Sequence, residues 1–316
     1  MTTAPIRLGI VGLGAMGRQL LETALDHPDF TVVHAVDLAP AVVAELQARH
    51  PGVRFSTSPF EVIGAADVDA VYVATPPATH AALVVPAFEA GQAVFCEKPL
   101  AVSDADGSAM VEAAAGKAAA VNFSLSDRQS TRYVEQAIAD GRVGEVLGVE
   151  IRLTFPVWPR AFQSDATWVG ERAQGGFVRE VFSHFAYLTD RLVGPLVPVQ
   201  VELGHRDAAA SESAAYGLMR AGEVPVQLTG IVGAAGVESY EWVLRGTKQS
   251  YRLSAWRDLF VAEGNGWQPV ELTGELGSEA TRLTLFAQAV RCSHSPELAD
   301  FAAAERVRQV VEAFHR

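Results

Sequence analysis

Along the first 120 or so residues, short apolar runs rich in β-branched side chains alternate with longer Ala-rich stretches of helical period. Residues 7–11, 31–36, 69–74, 93–96 and 118–123 read as strands, and 16–27, 41–50, 80–90 and 103–115 as helices. Strands alternating with helices predict βαβ units and a parallel sheet covered on both faces. The texture changes near residue 145. Strand candidates at 147–157, 199–205, 214–219, 224–232 and 237–244 follow, and several alternate with a period of two. Glu238, Tyr240, Trp242 and Leu244 fall on one face, and Ser239, Glu241, Val243 and Arg245 on the other. That pattern predicts a mainly antiparallel sheet with two unlike faces. Helices over 279–292 and 300–315 close the chain. The expected architecture is α/β: a doubly wound parallel sheet over 1–122, then an α+β domain over 123–316 on an open-faced sheet.

The first predicted strand runs into Gly12-Leu13-Gly14-Ala15-Met16-Gly17, a G-x-G-x-x-G that opens the first helix. In the Rossmann dinucleotide site the first glycine of this pattern permits the tight turn. The second lets the backbone approach a pyrophosphate, and the third lets helix and strand pack closely. The helix N-terminus then holds the phosphates. Asp37 ends the second strand, where an acid hydrogen-bonds ribose hydroxyls. Its charge would repel a 2′-phosphate, and Leu38-Ala39-Pro40 supplies no arginine to bind one, so NAD is expected over NADP.

The net charge of −12 disfavours non-specific nucleic-acid or anionic-membrane partners. No apolar run approaches the roughly 20 residues that cross a bilayer. The N-terminus lacks the apolar core of a signal peptide. Its two cysteines, Cys96 and Cys292, are far apart. A cytoplasmic protein without a disulfide framework is expected, acting on a small molecule.

Two further segments, Ala74-Thr75-Pro76-Pro77-Ala78-Thr79-His80 and AFEAGQAVFCEKPL (Ala87 to Leu100), each attached to a predicted strand, resemble the Gfo/Idh/MocA oxidoreductase family. The likeness runs over the whole chain and is strongest over 6–100. It implies NAD(P)-dependent hydride transfer at a carbohydrate-like or other small oxo or hydroxy carbon, possible imines included, and a homo-oligomer, dimer or tetramer. It places Lys98 beside nicotinamide and substrate, with Thr75, Pro76, Pro77, His80 and Glu97 lining the cofactor. The chemistry is reasonable on its own terms, because hydride transfer at a carbinol must be matched by proton transfer at its oxygen.

The family's "GGGxLxDxGxHxxD" segment corresponds to Gln174-Gly175-Gly176-Phe177-Val178-Arg179-Glu180-Val181-Phe182-Ser183-His184-Phe185-Ala186-Tyr187. His184 matches the family histidine, while Glu180 stands for the usual aspartate, Phe182 for glycine and Tyr187 for the last aspartate. On a regular helix 180, 184 and 187 share a face and could address one pocket. Two ligands are too few for a metal, and none is expected. In VNFSLSDRQ (121–129), Asn122, a candidate substrate contact, replaces a glycine, and Leu125 and Ser126 replace arginines. Trp158, Arg160 and Trp168, on the loop that follows, are candidate substrate contacts or plain loop anchors. These departures predict that myo-inositol and free glucose fail as substrates. Two other readings stay open: an NAD-bound sensor or scaffold without turnover, and NAD-assisted eliminative sugar chemistry with no net redox change. The face bearing Tyr240, Trp242 and Leu244 is a candidate oligomer contact unless the chain's own helices cover it.

Overall fold

A computed structural model describes residues 4–163, 166–292 and 295–316, in two compact units. The first comprises 1–123 and 279–305, and the second 124–278 and 306–316. The first unit opens with β1 (Ile6–Val11), α1 (Ala15–Leu25), β2 (Phe30–Val36), α2 (Pro40–Arg49) and β3 (Arg54–Ser56). It continues with β4 (Ala70–Val73), α3 (His80–Glu89), β5 (Ala93–Cys96), α4 (Asp104–Ala114) and β6 (Ala119–Val121). All six strands are parallel, in the order β3-β2-β1-β4-β5-β6. That order places the switch point between β1 and β4, where doubly wound sheets bind ligands at their carboxyl ends. β4 and β5 are buried at every position, as strands covered on both faces must be.

The second unit contains α5 (Gln129–Ala139), β7 (Val146–Phe155), α6 (Ser183–Leu192), β8 (Leu196–Gly204), β9 (Ala214–Ala221) and β10 (Val224–Val232). Next come β11 (Ser239–Gly246), β12 (Ser250–Ser254), β13 (Asp258–Ala262) and β14 (Gln268–Pro269). They form an eight-stranded sheet in the order β14-β13-β12-β11-β7-β10-β9-β8, antiparallel except where β7 pairs with β10. Alternation is plain in β9, where Tyr216, Leu218 and Arg220 are exposed and Ala215, Met219 and Ala221 buried.

Two sequence-based expectations change. The helix α7 (Glu279–Cys292) belongs to the first unit, not to the domain of residues 123–316, because its Leu283, Phe286 and Ala287 are buried in one core with β1, β4 and β5. Phe286 stacks on Phe95 at 5.1 Å between centroids. The last helix, α8 (Phe301–Ala313), contributes residues to both units. Secondly, the face of Tyr240, Trp242 and Leu244 is covered by the chain itself. Trp242 and Leu244 are fully buried, and Trp242 Nε1 donates to Thr189 Oγ1 of α6 at 2.9 Å. The opposite face is the open one, exposing Tyr216, Leu218 and Ile231.

Candidate functional site

Each unit gathers its own set of the residues singled out above. In the first unit Gly12 sits at φ +96°, and a side chain there would strike the Ala74 carbonyl. A Cβ on Gly17 would collide with the Gly12 carbonyl, so α1 packs directly on the turn. Gly14 differs: a Cβ would meet nothing within 4 Å. It is the N-cap of α1, which has neither a side-chain cap nor an acid in its first turn. Leu13, Ala15 and Met16 complete the loop, with Leu13 buried and Ala15 exposed. An uncapped helix N-terminus under open space suits a pyrophosphate, whose oxygens would accept the orphan N–H groups.

Asp37 ties this loop to the end of β2. One carboxylate oxygen accepts from the Leu13 N–H at 2.8 Å and the other from the Ala39 N–H at 2.9 Å. The nearby cation Arg18 is engaged bidentately by Glu45 at 2.9 and 3.0 Å.

After β4, Thr75, Pro76 and Pro77 form a short turn in which Thr79 Oγ1 bonds to Thr75 Oγ1 at 2.8 Å. His80 is fully buried. Its Nε2 faces the Thr75 carbonyl at 2.9 Å and its Nδ1 the Leu100 carbonyl at 3.0 Å. Burial lowers its pKa, and the neutral ring, with one N–H, donates to only one of these two carbonyls.

That segment carries Glu97 and Lys98. Lys98 is half-buried at the carboxyl end of β5, and its peptide bond to Pro99 is cis. Glu97 is buried, bonded to the Tyr72 hydroxyl and to Asn122 Nδ2, the latter at 2.7 Å. Asn122 Oδ1 accepts from Arg282 Nε at 2.7 Å, and Arg282 Nη2 pairs with Glu279 at 2.5 Å. Asn122, expected at substrate, thus has both ends of its amide engaged in a buried network. Burial, and then the Glu279 carboxylate, push the Glu97 carboxyl upward. Tyr72, Glu279 and Arg282 were not singled out from sequence. Their separation along the chain leaves no local motif.

In the second unit, Val178–Phe182 is a π-helical stretch leading into α6. Its wider turn changes the single helical face expected for Glu180, His184 and Tyr187. His184 is buried, and its Nδ1 accepts the Ser124 backbone N–H at 3.2 Å. Nδ1 must then be unprotonated, so the neutral ring carries its proton on Nε2. The Trp256 indole meets His184 edge-on at 5.2 Å and also packs on Phe185 and Tyr240. Trp256 and Ala255 sit at φ +68° and +47° in the β12–β13 turn. A bulky residue there is strained and persists only where packing holds it. Trp256 was missed because a lone tryptophan between strands carries no sequence signal.

Glu180 is half-buried, 3.5 Å from Gln163 Nε2. Gln163 Oε1 accepts from Arg160 Nε at 3.0 Å, and Arg160 lies over Trp158 and Phe162 at 5.3 and 4.6 Å. Burial lowers the Arg160 pKa while Glu180 and Glu238 oppose it. Trp158 also packs on Phe155 and Phe177 and donates from Nε1 to the Val169 carbonyl at 3.3 Å. Trp158 and Arg160 therefore belong to one cluster with Glu180. Trp168 is half-buried, and no hydrogen bond or ring contact of its side chain occurs among the described residues. Tyr187 is buried against Arg191, which also bonds to the Ser126 carbonyl at 2.6 Å. The Gly175-Gly176 turn makes room for Glu212, which accepts the Val178 N–H at 2.6 Å. No three His, Cys, Asp or Glu side chains converge as a metal set among the described residues, and no helix there is long and apolar enough to cross a membrane.

Comparison with known proteins follows the same division. Residues 6–124 match the model of an oxidoreductase family with an NAD-binding Rossmann fold, and 131–252 match the GFO/IDH/MocA C-terminal domain. An inositol 2-dehydrogenase of Rhodococcus erythropolis (strain PR4 / NBRC 100887) is 36% identical over 166 residues, 50% of this chain and 47% of that protein. A 1,5-anhydro-D-fructose reductase of Ensifer adhaerens is 28% identical over 217 residues, 67% of this chain and 64% of that protein. The chain spans about half the length of the first of these relatives. A solved levoglucosan dehydrogenase in complex with NADH superposes with a TM-score of 0.84 at 19% identity, covering 98% of this chain and 96% of the other, which is a likeness of fold. The first unit is an NAD(P)-binding Rossmann domain, and the chain belongs to the GFO/IDH/MocA oxidoreductase family.

Proposed function

We propose that the protein transfers hydride between a nicotinamide dinucleotide and a small carbohydrate-like oxo or hydroxy compound. The observation that carries this reading is the open, uncapped N-terminus of α1 at Gly14 in the same unit as Lys98, at the carboxyl end of β5. Gly12 to Gly17 would hold the pyrophosphate, and Asp37 the adenosine ribose. The bound group supplies the hydride acceptor or donor. Lys98 gives a proton to, or takes one from, the substrate oxygen, since an ammonium polarises a carbonyl and a desolvated amine accepts a proton. His184, its Nδ1 accepting from Ser124, would assist proton transfer as an Nε2–H hydrogen-bond donor to the substrate oxygen, and Trp256 packs edge-on against its ring. Glu180 orients the Gln163–Arg160 arm. Sequence departures support a substrate other than myo-inositol or free glucose.

NAD is the preferred cofactor in this reading. The Asp37 carboxylate would sit against any 2′-phosphate, and Arg18 is committed to Glu45. The protein is further expected to act in the cytoplasm as a homo-oligomer through the open sheet face at Tyr216, Leu218 and Ile231. Light scattering after size exclusion tests this, and a monomer counts against that face. The functional test is absorbance at the nicotinamide band with a panel of sugars, keto- and amino-sugars, polyols and imines. Cofactor-dependent turnover is expected with at least one. Tight cofactor binding without turnover on any would replace the reading by a sensor or a hidden-redox reaction.

A further inference from the structure

The second unit holds a cavity of 470 Å³ at the edge strand β8, lined by Arg172, Arg179, His205, Glu312, His315 and Arg316 among others. None of these is a site residue described above. Its volume lies within the range of roughly 300–1,000 Å³ typical of small-molecule sites.

Charge within it is unbalanced. The buried Arg179 guanidinium is bidentate on Glu312, at 2.6 Å from Nε and 2.8 Å from Nη2, and its Nη1 donates to the Arg172 and Gly175 carbonyls. That pair is neutral and holds the wall rigid. Arg172 forms no ion pair among the described residues, so its charge is left over. His205 uses Nδ1 on the Ala210 carbonyl at 3.1 Å, and the buried Nε2 of His315 has no hydrogen-bond partner. Burial, then Arg179, His205 and Arg172, hold the His315 pKa down at about 3, so every named charge acting on it is positive. A buried polar nitrogen without a partner, beside an unpaired guanidinium, is complementary to an acceptor carrying negative charge.

We propose that this cavity binds a small oxyanion, a phosphoryl or dicarboxylate group, between the Arg172 guanidinium and the His315 Nε2–H. Neither contact uses the residues assigned to dinucleotide or hydride chemistry, so this site stands or falls independently of the proposed function.

Calorimetric titration of the full chain with inorganic phosphate and with malonate, at constant ionic strength held by sodium chloride, tests the site. Saturable binding of one anion per chain is expected. The exposed substitution Arg172→Gln should weaken it about tenfold, the worth of one charge-assisted hydrogen bond, whereas Arg220→Gln on the open face should leave it unchanged. The His315 imidazole resonance should shift on saturation. Tighter phosphate binding identifies a phosphoryl ligand, and tighter malonate binding a dicarboxylate. Absence of saturable binding, or equal binding by wild type and Arg172→Gln, overturns the proposal.

Discussion

Both units turn on a glycine at positive φ, Gly12 in one and Gly176 in the other, yet the two glycines make room for different things. At Gly176 a side chain would run into the Glu212 carboxylate, so the space is taken by the chain's own acid, which accepts the Val178 N–H at the start of the π-helical stretch. In the first unit the turn at Gly12 leads to Gly14, where a Cβ meets nothing within 4 Å and the helix start has no cap. The chain completes one helix start internally and leaves the other incomplete. A helix N-terminus left without a partner is where a ligand's charge is stabilised most.

The comparison sharpens under substitution. The largest effect is expected from Lys98→Ala, which should lower kcat by about two to four orders of magnitude, the range for a general acid–base group, with cofactor affinity nearly intact. Steady-state kinetics with a substrate found by the panel checks this, and unchanged turnover removes Lys98 from the mechanism.

Gly14→Val and Gly17→Val separate open space from packed space. The first should fold with an unchanged Tm but bind NADH at least about tenfold more weakly, for loss of one charged hydrogen bond. The second forces a side chain into the Gly12 carbonyl and should cost about 1–3 kcal/mol of stability, the usual price of overpacking. Equal Tm losses in the two variants would erase the contrast. A smaller effect is expected at Trp256. Trp256→Gly tolerates φ +68° and should leave the fold standing, but it removes the ring against His184. Turnover should fall by up to about tenfold, the equivalent of one aromatic contact of roughly 0.5–1.5 kcal/mol. Turnover equal to wild type would show that the Trp256 ring does not position His184.

The smallest effect is a slope with pH. Burial lowers the pKa values of His34, His80 and His315 in the folded chain. The unfolded chain therefore takes up more protons below the ordinary histidine value of about 6.5, and stability present above it drains away as pH falls. Thermal unfolding between pH 7.5 and 5 should show a falling Tm, with a shallower fall in His80→Asn. A Tm that rises over that interval would contradict the buried neutral histidines.

Legibility in sequence tracks how local each structure is. Five of the six parallel strands, the glycine loop and Lys98 after β5 are legible because each is encoded within a short run of consecutive residues, whereas β3, three residues long, carries too little pattern to read. The second unit was readable as a two-faced sheet from its alternation, but which face is open was not, since that depends on α6 packing its Thr189 against Trp242. Asn122 looked like a substrate contact only because its partners Glu279 and Arg282 lie some 160 residues away. The π-helical stretch was invisible too. Nothing in VREVF distinguishes it from an ordinary helical turn, and its wider turn spoils the face expected for Glu180, His184 and Tyr187.

The central claim is that the open α1 N-terminus holds a nicotinamide dinucleotide and that Asp37 selects the one without a 2′-phosphate. Parallel fluorescence titrations with NADH and NADPH, in wild type and Asp37→Ser, test it most directly. The account predicts saturable binding of both, a wild-type preference for NADH, and a loss of that preference in the variant. No saturable binding of either, or a wild-type preference for NADPH, would contradict it.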